Sequence, residues 1–187
     1  MPFTQFVQSP PTDYFSGQAL AVGESALPRI NCGTGITLVS GTIHLSFWQA
    51  VKTEPVNTLF TTTAGTAAAA TPTLCRIGIY SVDANSNLTL IGACANDTTI
   101  WNTTFARFNR ANTTPFLKVQ GQRYAHAVII VTAVAAPVMR GYNGSIVDSN
   151  QLPFLGGQLA GQTDLLPTIA NGVYSTISSM SYGGTTP

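Results

Sequence analysis

The sequence predicts an all-β protein: a β-sandwich, jelly-roll-like, with an extended N-terminal arm and a Gly/Pro-rich C-terminal extension. Three observations predict this fold. Apolar and polar residues alternate along several segments of strand length. Turn-forming residues separate those segments at roughly regular intervals. No segment shows the apolar period of an amphipathic helix.

Residues 1–33 form the predicted arm, because prolines and glycines interrupt them throughout and no strand period is sustained. Phe3, Phe6 and Tyr14 make this segment too apolar for a free solvated tail. We therefore expect the arm to lie extended on a protein surface. Residues 1–8 lack the basic and apolar regions of a signal peptide.

Residues 34–140 form the predicted sandwich core. Ile43, Leu45 and Phe47 alternate onto one face of its first strand. Residues 83–87 are rich in Asp, Asn and Ser, and they predict a hairpin turn between two apolar strands. The last run is long and apolar, and we expect it to be the central strand. The predicted strands are Thr42–Trp48, Val56–Thr63, Leu74–Val82, Leu88–Ala95, two short segments at 105–108 and 116–119, and Tyr124–Thr132.

Residues 141–187 form the predicted C-terminal extension, with eight glycines and only Asp148 and Asp164 charged. Apolar residues recur, but few runs are long enough to make a sheet. Burying one large apolar side chain yields roughly 1.5–3 kcal/mol, and ordering one backbone residue costs about 1–2 kcal/mol. The segment should therefore need an existing surface to lie on. We expect assembly contacts from Phe154, Leu155, Leu159, Leu165 and Leu166.

Charge is the unusual feature of the composition. Asp, Glu, Lys and Arg make up 8% of the chain, and the net charge is +1, whereas about 25% is typical. The basic residues are scattered rather than clustered, which argues against nucleic acid as a partner. No apolar run is long enough to span a bilayer. Such a surface resists association poorly, so it favours self-assembly.

The sequence offers no convincing metal or cofactor site. Cys32, Cys75 and Cys94 contain no CxxC pair, so buried free thiols are favoured over zinc ligands; a bridge between Cys75 and Cys94 stays an alternative. Asp83 and Asn85 begin a spacing typical of a calcium loop, but the Gly and Glu that complete such a loop are missing. A hairpin turn is the favoured explanation of these residues.

Catalysis is not predicted either. His44 and His126 lie inside predicted strands, and neither is accompanied by a motif that supplies a nucleophile or a metal. Trp48 alternates with Phe47, so it belongs to a second layer or an interface. Trp101 and Asn102 lie in a polar loop and are the candidates for surface recognition, as in sandwiches that bind sugars. Packing in the core stays the default role for the tryptophans.

Several short runs carry a resemblance to a known family. They are Gly41-Thr42-Ile43-His44-Leu45, Thr71-Pro72-Thr73, Ile77-Gly78-Ile79-Tyr80, Asp97-Thr98-Thr99, Pro115-Phe116, Gly121-Gln122-Arg123-Tyr124, Pro137 before Arg140-Gly141, and Leu152-Pro153-Phe154 continuing to Pro167. Residues 34–170 thereby resemble the β-sandwich virion proteins of tailed phages of actinobacteria, of the minor tail, head-fibre or capsid-decoration type. The resemblance lies in spacings, without an invariant active site.

The resemblance implies a non-enzymatic module on the surface of a phage particle, commonly trimeric, made in the bacterial host and incorporated in the virion. The expected partners are further copies of the chain and other capsid or tail proteins, with no nucleic acid and no membrane. The alternative is a lectin-like module that binds a receptor or glycan on the host surface through Trp101 and Asn102.

Overall fold

The computed structural model describes residues 18–19, 23–27, 32–66, 72–143 and 155–187. Those residues form fifteen β-strands and no helix, so the predicted all-β sandwich is confirmed. The strands are β1 (Gln18–Ala19), β2 (Glu24–Ser25), β3 (Thr34–Thr37), β4 (Ile43–Gln49), β5 (Glu54–Thr62), β6 (Leu74–Val82), β7 (Leu88–Ala93), β8 (Arg107–Lys118), β9 (Arg123–Val131), β10 (Val138–Asn143), β11 (Gly156–Leu159), β12 (Thr168–Ile169), β13 (Ser175–Ile177), β14 (Ser179–Ser181) and β15 (Gly183–Thr186).

Three antiparallel sheets make up the sandwich. The central sheet has seven strands in the order β12-β7-β6-β9-β4-β11-β13, and β9 is its middle strand, as the apolar run predicts. The second sheet has five strands in the order β1-β2-β15-β5-β8. The third sheet is small, with the order β14-β10-β3.

Both faces of the central sheet are buried, because its strands are apolar at consecutive positions. Along β4, Phe47 points to one face and Trp48 to the other, and both side chains are buried. The inner face packs against Val56 and Leu59 of the second sheet and Met139 of the third. Trp48 therefore belongs to a second layer, one of the two alternatives predicted for it.

The outer face is covered by residues 160–174, which we call the C-terminal strap. The strap starts after β11, which pairs with β4, and it reaches β12, which pairs with β7 at the other edge of the sheet. Leu165 packs over Gly78 so closely that a Cβ at that glycine would lie 2.6 Å from its Cδ1. The Tyr80 hydroxyl donates to the Leu166 carbonyl at 2.8 Å, which fixes the strap near its middle.

The predicted C-terminal extension is integrated with the sandwich in its described part, residues 155–187. These residues form β11 to β15 and contribute strands to all three sheets. The surface that the glycine-rich segment needs belongs to the chain itself. The described part of the arm likewise pairs through β2 with β15 of the same chain. Residues 1–17 and 144–154, where much of the arm and Phe154 fall, lie outside the described residues.

One further strand differs from its prediction. The two short segments expected at 105–108 and 116–119 are parts of a single strand, β8. Its pairing with β5 slips at Asn57, so that residues 112–115 form a bulge between two regular stretches. Asn112 stabilises the bulge by donating to the carbonyls of Val56 and Thr114. The bulge interrupts the alternation of polar and apolar residues, which is why the pattern looks like two segments.

Candidate functional site

The loop of residues 95–106 contains the predicted recognition residues, and the structure divides them between two environments. Trp101 has no exposed surface and packs in the inner core beside Ile100. The prediction that Trp101 contacts a ligand at the surface is therefore wrong. Asn102 is exposed, as expected for a surface residue. The signal that sequence reasoning missed is the apolar Ile100–Trp101 pair, because two adjacent apolar residues in a polar loop are typical of a buried anchor.

The loop is held firmly at both ends. At its start the Asp97 carboxylate accepts from the Thr99 backbone and hydroxyl at 2.9 and 2.6 Å, and from Arg110. The Thr99 hydroxyl, followed by the other donors, lowers the pKa of Asp97. Further along, the Thr63 hydroxyl donates to the Thr103 carbonyl at 2.6 Å. These hydrogen bonds therefore fix the conformation of the loop at both of its ends.

Phe105 is the aromatic residue that this loop does expose. Its side chain is 66% exposed, and the Arg140 guanidinium lies 5.2 Å from its ring centroid. Phe105 and Trp101 both have a positive φ, of 52° and 64°, which bulky residues rarely adopt. Backbone strain of this kind persists only where surrounding contacts hold it. The loop thus directs one aromatic ring into the core and another into solvent.

The predicted assembly leucines lie inside the protein. Leu165 is buried on the outer face, and Leu159 and Leu166 pack partly buried against the same core. Leu155 packs beside Met180 and Tyr182 in a small third cluster. These apolar side chains pack within the chain, and the prediction that they make assembly contacts stays a prediction.

Both histidines are buried, neutral strand residues. His126 donates through Nε2 to the Phe60 carbonyl at 3.1 Å, and its ring lies where a Cβ on Gly183 would be. His44 accepts through Nε2 from the Val39 backbone at 3.3 Å. Burial lowers the pKa of each to about 4. In the described part of the chain the second ring nitrogen of each, Nδ1, has no hydrogen-bond partner.

The cysteines and the Asp83 turn have structural roles. Cys75 and Cys94 are buried free thiols, and burial is the main cause that raises the pKa of Cys75 to about 12. Thiols of that kind are poor nucleophiles. The Asp83 carboxylate accepts from the backbone of Asn85 and Asn87 and from the Asn87 amide, so the turn prediction is confirmed. Among the described residues no cluster of three or more His, Cys, Asp or Glu side chains could hold a metal.

A buried ionic cluster is the feature that sequence reasoning did not identify. Lys118, at the end of β8, has no exposed side-chain surface, and its Nζ lies between two carboxylates. One belongs to Glu24 of β2 at 2.7 Å, and the other belongs to Glu54 of β5 at 2.9 Å. The cluster joins the arm to the sandwich. The only sign of this cluster in the sequence is that Lys118 directly follows the apolar Phe116 and Leu117.

Ion pairs involve most of the described side-chain carboxylates. Of the five carboxylates in the described ranges, four lie in ion pairs: Glu24 and Glu54 with Lys118, Asp97 with Arg110, and Asp164 with Arg76. Together with the low charge content of the chain, this leaves a surface dominated by uncharged polar groups. Large apolar side chains are exposed singly on it, including Leu117 and Phe105.

These observations define a β-sandwich protein with a loop held at both ends and a surface poor in charge. No protein-family model matches the chain, and no curated protein is significantly similar to it. The described residues include no helix long and apolar enough to cross a membrane.

Proposed function

We propose that the chain is a non-enzymatic structural protein of a phage particle, a surface module that decorates the capsid or tail and assembles as a homo-oligomer. The observation that carries this proposal is the pairing of charge within the chain. Four of the five described side-chain carboxylates form ion pairs with neighbours of the same chain. Little like-charge repulsion then opposes contact between copies.

The contact surface is expected away from the C-terminal leucines. Phe105 and Leu117 are exposed by 66% and 61%, and they belong to β8 and the loop before it. β8 is an edge strand, and strand edges are surfaces through which copies associate. The resemblance to virion proteins adds the setting of a particle and the expectation of a trimer.

Light scattering on the purified protein tests the assembly. We expect a trimer whose mass does not fall between low and high salt, because screening acts on exposed charges that this surface hardly has. Phe105→Ala should weaken the trimer. Val173→Ala is the matched control and should not, since Val173 is 58% exposed in another loop. A monomer at all concentrations would reject self-assembly. Mass spectrometry of purified particles from the source tests the virion setting separately.

A lectin-like function is the second candidate, and Phe105 is the observation that favours it. An exposed ring three residues from an exposed amide, Asn102, provides stacking and hydrogen-bonding groups for a sugar. A glycan array with the wild type and with Phe105→Ala distinguishes the two functions. Glycan signals that are lost in the variant support the lectin-like function. If the array shows no signals, the structural function is the one of the two candidates that remains.

A further inference from the structure

The Lys118 ammonium is enclosed in an unusual environment for a cation. Its Nζ contacts Glu24 Oε2 at 2.7 Å, Glu54 Oε1 at 2.9 Å and the Thr185 hydroxyl at 3.3 Å. Lys118 and Glu24 have no exposed side-chain surface, and Glu54 retains only 13%. Two carboxylates and one ammonium leave an excess negative charge inside the sandwich. Burial of ions is costly, and an apolar trio would often stabilise a core equally well.

The second oxygen of Glu24 has its own donors. Glu24 Oε1 accepts from the Trp48 indole N–H at 2.8 Å and from the Val51 backbone N–H at 3.2 Å. The same Val51 N–H lies 3.3 Å from Oε2. Two N–H groups directed at one carboxyl oxygen stabilise the negative charge that develops there when a nucleophile adds to the carboxyl carbon.

The site therefore combines three elements of an acyl-transfer reaction. Lys118 supplies a buried amine, Glu24 supplies a carboxyl group with its oxygen held by donors, and Glu54 is a second carboxylate within proton-transfer distance. We propose that the folded protein joins Lys118 Nζ to Glu24 Cδ in an intramolecular isopeptide bond, with Glu54 as the proton relay.

The reaction balances without any other reactant. One proton passes from Nζ to Glu24 Oε2, which leaves an amine and a carboxylic acid in contact. The amine adds to Cδ, and the charge that forms on Oε1 is stabilised by the Trp48 and Val51 N–H groups. Glu54 then takes one proton from Nζ and delivers it to Oε2. The Cδ–Oε2 bond breaks, water leaves, and Glu54 is again a carboxylate.

The other ion pairs of the described residues lack this chemistry. Arg76–Asp164 and Arg110–Asp97 use guanidinium groups, which stay protonated in proteins and are not nucleophiles there. Their side chains are also 22–46% exposed, so water reaches them.

The bond would have a structural consequence for the second sheet. Glu24 belongs to β2 and Lys118 to β8, and β15 and β5 lie between these strands. A covalent link would therefore span the sheet and hold the N-terminal segment in place.

Intact-mass spectrometry of the denatured full-length protein tests the proposal. We expect a mass lower by one water than the sequence mass, after allowance for removal of Met1. A tryptic digest should contain a branched peptide that joins the segments carrying Glu24 and Lys118. Incubation of freshly purified protein should convert any fraction that has not yet reacted to the lower mass.

Three variants assign the roles of the residues. Lys118→Arg and Glu54→Gln should both have their full sequence masses, because the first lacks the amine and the second lacks the relay. Asp164→Asn removes an ion pair elsewhere and should still lose one water. Circular dichroism checks that each variant is folded.

Two results would overturn the proposal. One is a wild-type mass that stays at the full sequence value after prolonged incubation. The other is a water loss that persists in Lys118→Arg or maps to other residues. A water loss that persists in folded Glu54→Gln would reject the relay. If a variant does not fold, the branched peptide of the wild type decides alone.

Discussion

The two faces of the central sheet are equally buried, but different kinds of structure cover them. The inner face packs against the long strands of the second sheet and encloses a lysine, two carboxylates and two histidines. The outer face lies under the C-terminal strap, which contains only the two-residue strand β12, and its core is almost entirely aliphatic and aromatic. A sheet can bury polar groups because neighbouring strands supply partners, whereas the short strap supplies only a few, such as the Leu166 carbonyl for Tyr80, and covers mainly apolar surface.

The largest expected effect concerns the inner face. Lys118→Met should destabilise the protein by about 3–5 kcal/mol, because Glu24 and Glu54 would remain buried without their cation. Urea unfolding measures the loss. Asp164→Asn is the control. The ion pair between Asp164 and Arg76 attaches the strap but is partly exposed, so the loss of this pair should cost only about 0–1 kcal/mol. Equal losses of stability in Lys118→Met and Asp164→Asn would contradict the difference described between the two faces.

The histidines predict a pH dependence that comes from the inner face alone. The pKa of each is about 4 in the folded protein and 6.5 ordinarily, so the unfolded chain binds more protons between these values. Stability should be full above about pH 6.5 and decline toward pH 4 by about 3 kcal/mol per histidine. Unfolding curves across this range measure the slope, and His44→Gln should roughly halve it. A flat profile would mean that the rings are hydrated.

Leu165→Ala tests how tightly the strap is packed. Leu165 is buried against Gly78, so truncation should cost about 2–3 kcal/mol, at the lower end for such changes because an irregular strap can partly collapse. Ile77→Ala, on the inner face of the same strand as Gly78, should cost more. A negligible loss for Leu165→Ala would indicate that the strap contributes little cover.

Phe105→Ala should have the smallest effect on stability, within about 0.5 kcal/mol, because its ring is largely exposed. Trp101→Ala in the same loop is the contrast, with an expected loss of about 3–5 kcal/mol from the inner core. Thermal unfolding of both variants separates the outward ring from the inward one. A large loss in Phe105→Ala would mean that its contact with Arg140 is structural.

The long regular strands could be predicted from the sequence, whereas the short C-terminal strands and the irregular strap that covers the central sheet could not. β4, β6 and β9 carry alternating or continuous apolar residues over seven to nine positions, which is long enough for the pattern to appear. β11 to β15 have only two to four residues each and include several glycines, so no period can be detected. Their pairing depends on surfaces formed elsewhere in the chain.

The candidate site shows the same limit. Asn102 was predicted at the surface because it lies in a polar stretch, but the burial of Trp101 in that stretch depends on a gap between distant strands. The Lys118 cluster unites residues from three strands that are 30 to 94 positions apart. Contacts of that kind leave no local pattern, since each residue alone looks like an ordinary solvated charge.

The position of β15 in the second sheet has a consequence for biosynthesis. This strand lies between β2 and β5, although it follows both of them by more than a hundred residues in the chain. During translation, at about 5–20 residues per second, neither β2 nor the outer face of the central sheet has its cover until residues 155–187 leave the ribosome. Folding must therefore wait for the last strands, and contacts so distant in sequence form slowly. The nascent chain exposes its most aggregation-prone surface for the longest time, so its yield in a cell depends on chaperones more than that of a sandwich assembled in sequence order.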